Sequence, residues 1–434
     1  MRDILITAII LGSLPFIFRR PWIGVLMWTW VGIMNPHRLA WGFAYSLPFA
    51  MIVGVATLTA LLFSKELKRY PAMPATVLLI VWVLWMTVTT VFAIYPEAAW
   101  TQWNKVIKIQ LFIVITIMVM QSQERIRWLV WVVMFSIAFY GVKGGVFTLT
   151  RGGSGMVLGP DGGFIAGNTE IALAITMIMP LMRYLQVMSE KRWVRYGFTA
   201  ALVLCAVAVL GSYSRGGVLA IVAMGAALWL KGRQKLLMGI LLVALIPMVV
   251  AVMPDRWFER MNTISTYEQD SSAMGRINAW WFAVNLAKDR PINGGGFDVF
   301  QPELFSRYAP NPADFHDAHS IWFKVLAEHG YLGLILFVAL WFAAWRLGAW
   351  IIRVSRDRLD LRWASELARM IQVSYVGFWV GGSFLGLSYF DLPYILLALL
   401  VLTKTVIQKQ MAETVARFPS DAVPAREKEA SATA

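Results

Sequence analysis

Three of the four histidines in this 434-residue chain, His316, His319 and His329, fall within residues 314–333, DFHDAHSIWFKVLAEHGYLG. Imidazole, with an ordinary pKa of about 6.5, is the side chain best suited to taking or giving a proton near neutral pH. From Ser320 on, Trp322, Val325 and Leu326 recur at helical spacing, which predicts an amphipathic helix. Asp317 is a cap candidate for it and Gly330 a stop. His319 then lies in or beside the first turn, where outward N–H groups and the positive end of the dipole suit a neutral imidazole or an anionic ligand. His329 lies deeper along the helix and reads as a packed or hydrogen-bonded residue.

Other polar residues are candidates by their surroundings. Arg215, in GSYSRGGVLA, sits between two apolar runs with almost no loop around it. Burying an arginine near a membrane is costly, so it reads as functional, or else as a side chain snorkelling to lipid headgroups. Arg276, in SSAMGRINAWWFAV, opens a helical pattern that Ser271 or Ser272 caps; alone it reads as a solvated arginine. Lys143 and Arg151 flank a glycine-rich stretch, RGGSGMVLGPDGGFIAGN, whose glycines are not at phosphate-loop spacing, so a flexible loop competes with a phosphate cradle. Asp391, in SYFDLPYI, either orients His319, binds an acceptor or starts a helix. His316, His319, Asp314 and Asp317, with Glu268 and Asp270, are conceivable metal ligands, yet no spacing matches a strong metal motif, and the expectation is no metal and no cofactor. Ser214 with His319 lacks the G-x-S-x-G context of an acyl-transfer nucleophile.

The elements that must position these residues are membrane helices. The chain is 59% hydrophobic and only 15% charged, too few charges for a soluble protein of this size. Apolar runs at residues 4–18, 22–34, 41–63, 75–94, 106–120, 128–147, 171–188, 196–210, 218–230, 236–253, 331–352, 373–387 and 392–407 predict an all-α, polytopic membrane protein of about 12 spans. The absence of period-2 alternation excludes a barrel. The net charge of +14 does not indicate nucleic acid. Its Lys and Arg residues cluster in alternate short connections (Lys65, Lys68 and Arg69; Arg125 and Arg127; Lys191, Arg192 and Arg195), the pattern of cytoplasmic loops. The other connections, at 95–105, 148–168, 211–217, 254–320 and 388–394, are then external. At the start, Arg19-Arg20 prefers the inside and leaves Met1 outside if all three early runs span. The expected organisation is membrane helices over 1–253, an external loop with the histidine segment over 254–330, further spans over 331–407 and a disordered cytoplasmic tail over 408–434. Cys205 stands alone, so no disulfide forms.

HSIWFKVLAEHGYLG fits the pattern His-[Asn/Ser/Gln]-nine residues-Gly-x-x-[Gly/Thr/Tyr], with His319, Ser320, Gly330 and Gly333 in register. In this it resembles the O-antigen ligase and polymerase superfamily, as do SYSRGG and the order SSAMGR, GGGFDVF, His. The resemblance covers roughly residues 141–394. The opening stretch, PFIFRRPWIGVLMWTWVGIMNPHRLAWGFAYSLPFA, is similar to a narrower branch described as exosortase-associated O-glycosylation ligases. The resemblance implies a glycosyltransferase of the GT-C type in the bacterial inner membrane, working on the periplasmic face. It implies a glycan donor on undecaprenyl diphosphate and a lipid A–core hydroxyl as acceptor, with a metal-independent, inverting reaction. The family's essential arginines correspond to Arg215 and Arg276, and its histidine to His319. Ser320, Arg151, Lys143 and Asp391 are expected to contact substrate. A protein hydroxyl or a growing glycan is the alternative acceptor. A transporter would instead carry ionisable residues at mid-membrane and repeated halves.

Overall fold

The structure, a computed structural model, describes residues 1–66, 68–231, 253–262 and 271–417. All regular elements among them are helices. At the N-terminus stand α1 (Arg2–Arg19), α2 (Pro21–Met34) and α3 (Phe49–Phe63), with two short 3-10 turns between α2 and α3. Six more follow: α4 (Pro74–Val91), α5 (Pro96–Val119), α6 (Gln123–Thr150), α7 (Asn168–Met188), α8 (Arg192–Gly211) and α9 (Arg215–Lys231). Shorter elements come next, α10 (Asp255–Asn262), α11 (Ser271–Asp289) and α12 (Pro302–Tyr308). The chain closes with α13 (Ile321–Val354), α14 (Arg362–Gly382) and α15 (Asp391–Arg417). Seven of the described helices (α4 to α8, α13 and α15) are long and apolar enough to cross a membrane, and α2, α3 and α9 are shorter apolar ones. The protein is a polytopic α-helical membrane protein.

Boundaries follow local chemistry. Proline opens α2, α4 and α5 at the first helical positions, where its missing N–H costs nothing. Because Pro96 starts α5, the connection expected at 95–105 shrinks to residues 92–95. The span expected at 373–387 is instead α14, Arg362–Gly382. In its charged first turns Glu366 and Arg369 face one another at i,i+3 spacing, 3.5 Å apart, which adds a little to the helix. α15 runs on to Arg417, so residues 408–417, expected as a disordered tail, are helical. The remainder of that tail, and the run expected at 236–253 except Met253, lie outside the described residues.

Successive long helices run antiparallel and sort the connections to two ends of the bundle. At one end Arg125 binds Glu66 at 2.9 Å, and Gln186 donates to the Arg195 carbonyl at 2.8 Å. At the other, Asn168 donates to the Ser212 carbonyl at 2.8 Å, Tyr213 Oη donates to the Gly153 carbonyl at 2.7 Å, and the Ile94 N–H donates to Gly295 at 2.9 Å. Asp3 belongs to this second end, since its carboxylate accepts from Gly42 and Ala44 N–H at 3.0 and 3.1 Å. α1 therefore starts there. Between the ends, glycines on α6 let α8 come close: a Cβ at Gly145 would stand 2.2 Å from the Leu204 carbonyl. Buried Trp82, Trp341, Tyr375 and Tyr394 fill the centre, with Trp82 Nε1 donating to Tyr394 Oη at 3.2 Å.

The second end carries its own small core. Phe282 of α11 packs on Phe300 and Phe305 with ring centroids 4.9 and 5.2 Å apart, and Leu286, Val299 and Ala318 close over them. This core lies directly beneath the histidine segment.

Candidate active site

α11 serves as a rail for residues 311–319, which have no regular structure beyond a turn. Asn278 Nδ2 donates to the carbonyls of Asn311 and Asp314 at 2.8 and 3.0 Å, and its Oδ1 accepts the Asn311 N–H at 2.9 Å. One short step along, Trp280 Nε1 donates to the Ala318 carbonyl at 2.8 Å. The Trp280 ring also stacks on Phe323 in the first turn of α13, 4.9 Å between centroids. His316 lies against α11, where a Cβ at Gly275 would meet its Nδ1 at 2.5 Å, so a larger residue there would have to displace the ring. Its Nδ1 also stands 3.1 Å from Asp314 Oδ1.

His319 follows, half-buried, with φ at 41°, in the left-handed region that disfavours a side chain. It stands immediately before Ser320, which is the N-cap of α13. Ser320 is buried, and its hydroxyl makes no hydrogen bond among the described residues. Asp317, a cap candidate by sequence, does different work. Its Oδ1 accepts the Ala318 N–H at 2.9 Å, and Lys324 Nζ donates to both of its oxygens at 3.2 Å.

Burial is the largest influence on the His319 imidazole and pushes it below its ordinary pKa. Asp317 and Glu170 act in the opposite direction, while Arg276 and Lys324 add to the lowering. The imidazole is consequently neutral at pH 7 and able to accept a proton. Burial works to raise the Asp317 carboxyl, but Lys324, His319 and the Ala318 N–H outweigh it, and the group is held below the usual carboxylate range.

Arg276 is half-buried, one helical turn ahead of Trp280 on α11, and its charge reaches the imidazole. Arg215 is the first residue of α9. Its turn is tied by the Ser214 hydroxyl, which accepts the Gly217 N–H at 2.9 Å. Gly216 lies against Phe384 and against Thr169, the neighbour of Glu170. The first turn of α7 thus borders the Arg215 turn and carries Glu170, whose charge acts on His319.

The remaining sequence candidates lie elsewhere at this end. Lys143 and Arg151 are exposed at the end of α6, Arg151 with its guanidinium 5.5 Å from the Phe147 ring centre. Asp391 opens α15 against α2, where a Cβ at Gly32 would stand 3.6 Å from its Oδ2. Glu268 and Asp270 lie outside the described residues, and no three His, Cys, Asp or Glu among the described residues converge on a metal position. Sequence reasoning passed over Glu170, Trp280, Lys324 and Glu328. The last two had a signal: a lysine and a glutamate at i,i+4 spacing inside an apolar pattern.

His329 packs and hydrogen-bonds, as its place in the sequence suggested. It is fully buried, with Thr89 Oγ1 2.6 Å from Nδ1 and Tyr389 Oη 2.8 Å from Nε2. Immediately after it, Gly330 breaks the helix at φ 70°, ψ −173°.

Compared with known families, residues 1–190 match a family of unknown function (DUF5935), and residues 200–338 match the family described as O-antigen ligase. No curated protein matches the chain.

Proposed function

From a chain whose residues 200–338 match the family described as O-antigen ligase, we propose a membrane glycosyltransferase that moves a glycan from undecaprenyl diphosphate to a sugar hydroxyl of lipid A–core. The observation that carries this reading is His319, half-buried and held at φ 41° immediately before the N-cap of α13, with Arg276 near enough for its charge to act on the ring.

In the reaction, the acceptor oxygen forms a bond to the anomeric carbon as the bond from that carbon to the phosphate oxygen breaks. The electron pair leaves with the diphosphate. His319 takes the proton of the acceptor hydroxyl, a transfer for which a base neutral at pH 7 is suited. Arg276 and Arg215 meet the growing negative charge with forked donors that a lysine lacks. No nucleotide is needed, because the energy of transfer already resides in the lipid diphosphate. Residues 254–330 then belong on the periplasmic side of the inner membrane, next to the donor's headgroup. Ser320 adjoins His319, and Lys143, Arg151 and Asp391 carry no step of this reading.

The test is reconstitution with a lipid-linked glycan and three acceptors, lipid A–core, a protein and a free glycan, with products read by mass. Transfer to lipid A–core is the expected result. His319→Asn suits the left-handed backbone and should keep donor binding while abolishing transfer. Arg276→Ala and Arg215→Ala should lose donor binding or transfer. Full transfer by His319→Asn would remove the imidazole from the mechanism.

A further inference from the structure

Lys324 and Glu328 take no part in the reaction above, yet both are held inside the protein. The Lys324 side chain is 16% exposed and that of Glu328 is 0% exposed. They stand one turn apart on α13, with Lys324 Nζ 3.9 Å from Glu328 Oε1. Charges removed from water in this way are costly unless each meets partners, and both do. Lys324 donates to both oxygens of Asp317 at 3.2 Å, and Asp317 in turn accepts the Ala318 N–H. Glu328 Oε1 accepts the Asp298 N–H at 3.0 Å, and its other oxygen accepts from Tyr389 Oη.

The two ends of this chain of contacts share an unusual backbone. Asp298, whose N–H meets Glu328, has φ at 56°. His319, two residues beyond the carboxylate that Lys324 grips, has φ at 41°. Each such conformation persists only where its surroundings over-determine it. The loop 383–390 lies over the same place, with Gly386 against Asp317 and Ser388 Oγ donating to the Ile321 carbonyl at 3.2 Å.

We propose that Lys324 and Glu328 are positioning residues: through Asp317 and Asp298 they lock the two left-handed turns, and the first of these locks sets both the place and the electrostatic surroundings of His319. The lock rests on the transferase reading only for its purpose, and its geometry can be tested without transfer. The charged groups facing His319 are Asp317 and Lys324 on its own segment and α13, Arg276 on α11 and Glu170 on α7. Lys324 neutralises Asp317. Removing the lysine exposes the imidazole to an unbalanced carboxylate, which favours the charged ring; removing the carboxylate does the reverse.

The experiment follows the His319 ring by NMR in detergent-solubilised full-length protein labelled at histidine. The other three histidines, His37, His316 and His329, are assigned by replacement with Gln. Lys324→Met should raise the His319 titration midpoint by roughly half a pH unit or more, and Asp317→Asn should lower it by a similar amount. Lys324→Arg should leave it near that of the wild type. In the transfer assay, Lys324→Met should lose on the order of tenfold to a hundredfold in rate, with donor binding kept and rate partly restored by Lys324→Arg. Midpoints that stay put, or that move in the same direction, would overturn the lock. Should Lys324→Met not fold, Asp317→Asn decides alone, and an unmoved midpoint overturns the proposal. Opposed shifts in a protein that transfers nothing would keep the lock and reject the transferase reading.

Discussion

His319 occupies a conformation that costs a residue with a side chain about 1–2 kcal/mol. A residue selected only for packing would relax to glycine or asparagine there. The four described non-glycine residues with positive φ are Asn35, Tyr213, Asp298 and His319, and all lie at the same end of the bundle. Strain gathered in one region is a common mark of a working site. The pH dependence of transfer follows from the imidazole's surroundings. Burial, aided by Arg276, lowers its pKa below the ordinary value of about 6.5, so the base form persists to lower pH than a solvated histidine allows. Transfer should hold as the pH falls to 6.5 and be lost only at lower pH, as the ring gains its proton. A pH–rate profile under saturating donor checks this, and an acid limb above 6.5 contradicts it. Of these residues, His319 was legible from its register in a motif. Asp317 was read as a cap or a ligand, because a carboxylate near a helix start fits either role until its partner is known.

At the scale of elements, α11 and the first turns of α13 form the frame. Phe282 is fully buried in the small core beneath the histidine segment, so Phe282→Ala should cost about 3–5 kcal/mol and loosen residues 311–319 with it. Hydrogen exchange on that segment, alongside thermal unfolding in detergent, measures both effects. Trp280→Phe keeps a ring to stack on Phe323 but removes the donor to the Ala318 carbonyl. It should lower transfer far more than it lowers the unfolding temperature, and equal losses would make Trp280 a plain packing residue. Gly330 is a sharper case. A Cβ there would stand 2.3 Å from the Ile292 carbonyl, and φ is 70°. Gly330→Ala should therefore destabilise by roughly 2 kcal/mol or more, read from the unfolding midpoint. The stop at Gly330 and the helix start near Ser320 could be read from the chain. The first turns of α14 could not, because their charges resemble a loop until Glu366 and Arg369 are seen to pair.

Among the described residues, the basic connections around Glu66, Arg125 and Arg195 gather at one end, and the histidine segment, the Arg215 turn and Asp3 gather at the other. By the positive-inside rule we expect the basic end to face the cytoplasm. Cys205 is buried, which makes cysteine labelling practicable in a Cys205→Ala background. Glu303→Cys, exposed on α12, should react with a membrane-impermeant maleimide in intact spheroplasts. Glu190→Cys, exposed between α7 and α8, should react only after lysis. The reverse pattern would invert the orientation and with it the periplasmic placement of the reaction.

The membrane class was legible in the sequence alone, which also singled out alternating basic connections and His319 as a candidate base. Hydrophobic length, charge clustering and motif register are local properties, and they survive without knowledge of any partner. The partners themselves were settled only by the tertiary structure. Glu170 reaches His319 from α7, and Trp280 reaches Ala318 from α11, across long separations along the chain. Lys324 and Glu328 are tolerable inside the protein only because folding brings Asp317, Asp298 and Tyr389 to them. A buried charge is stabilised by what surrounds it, and those surroundings do not exist until the helices have packed.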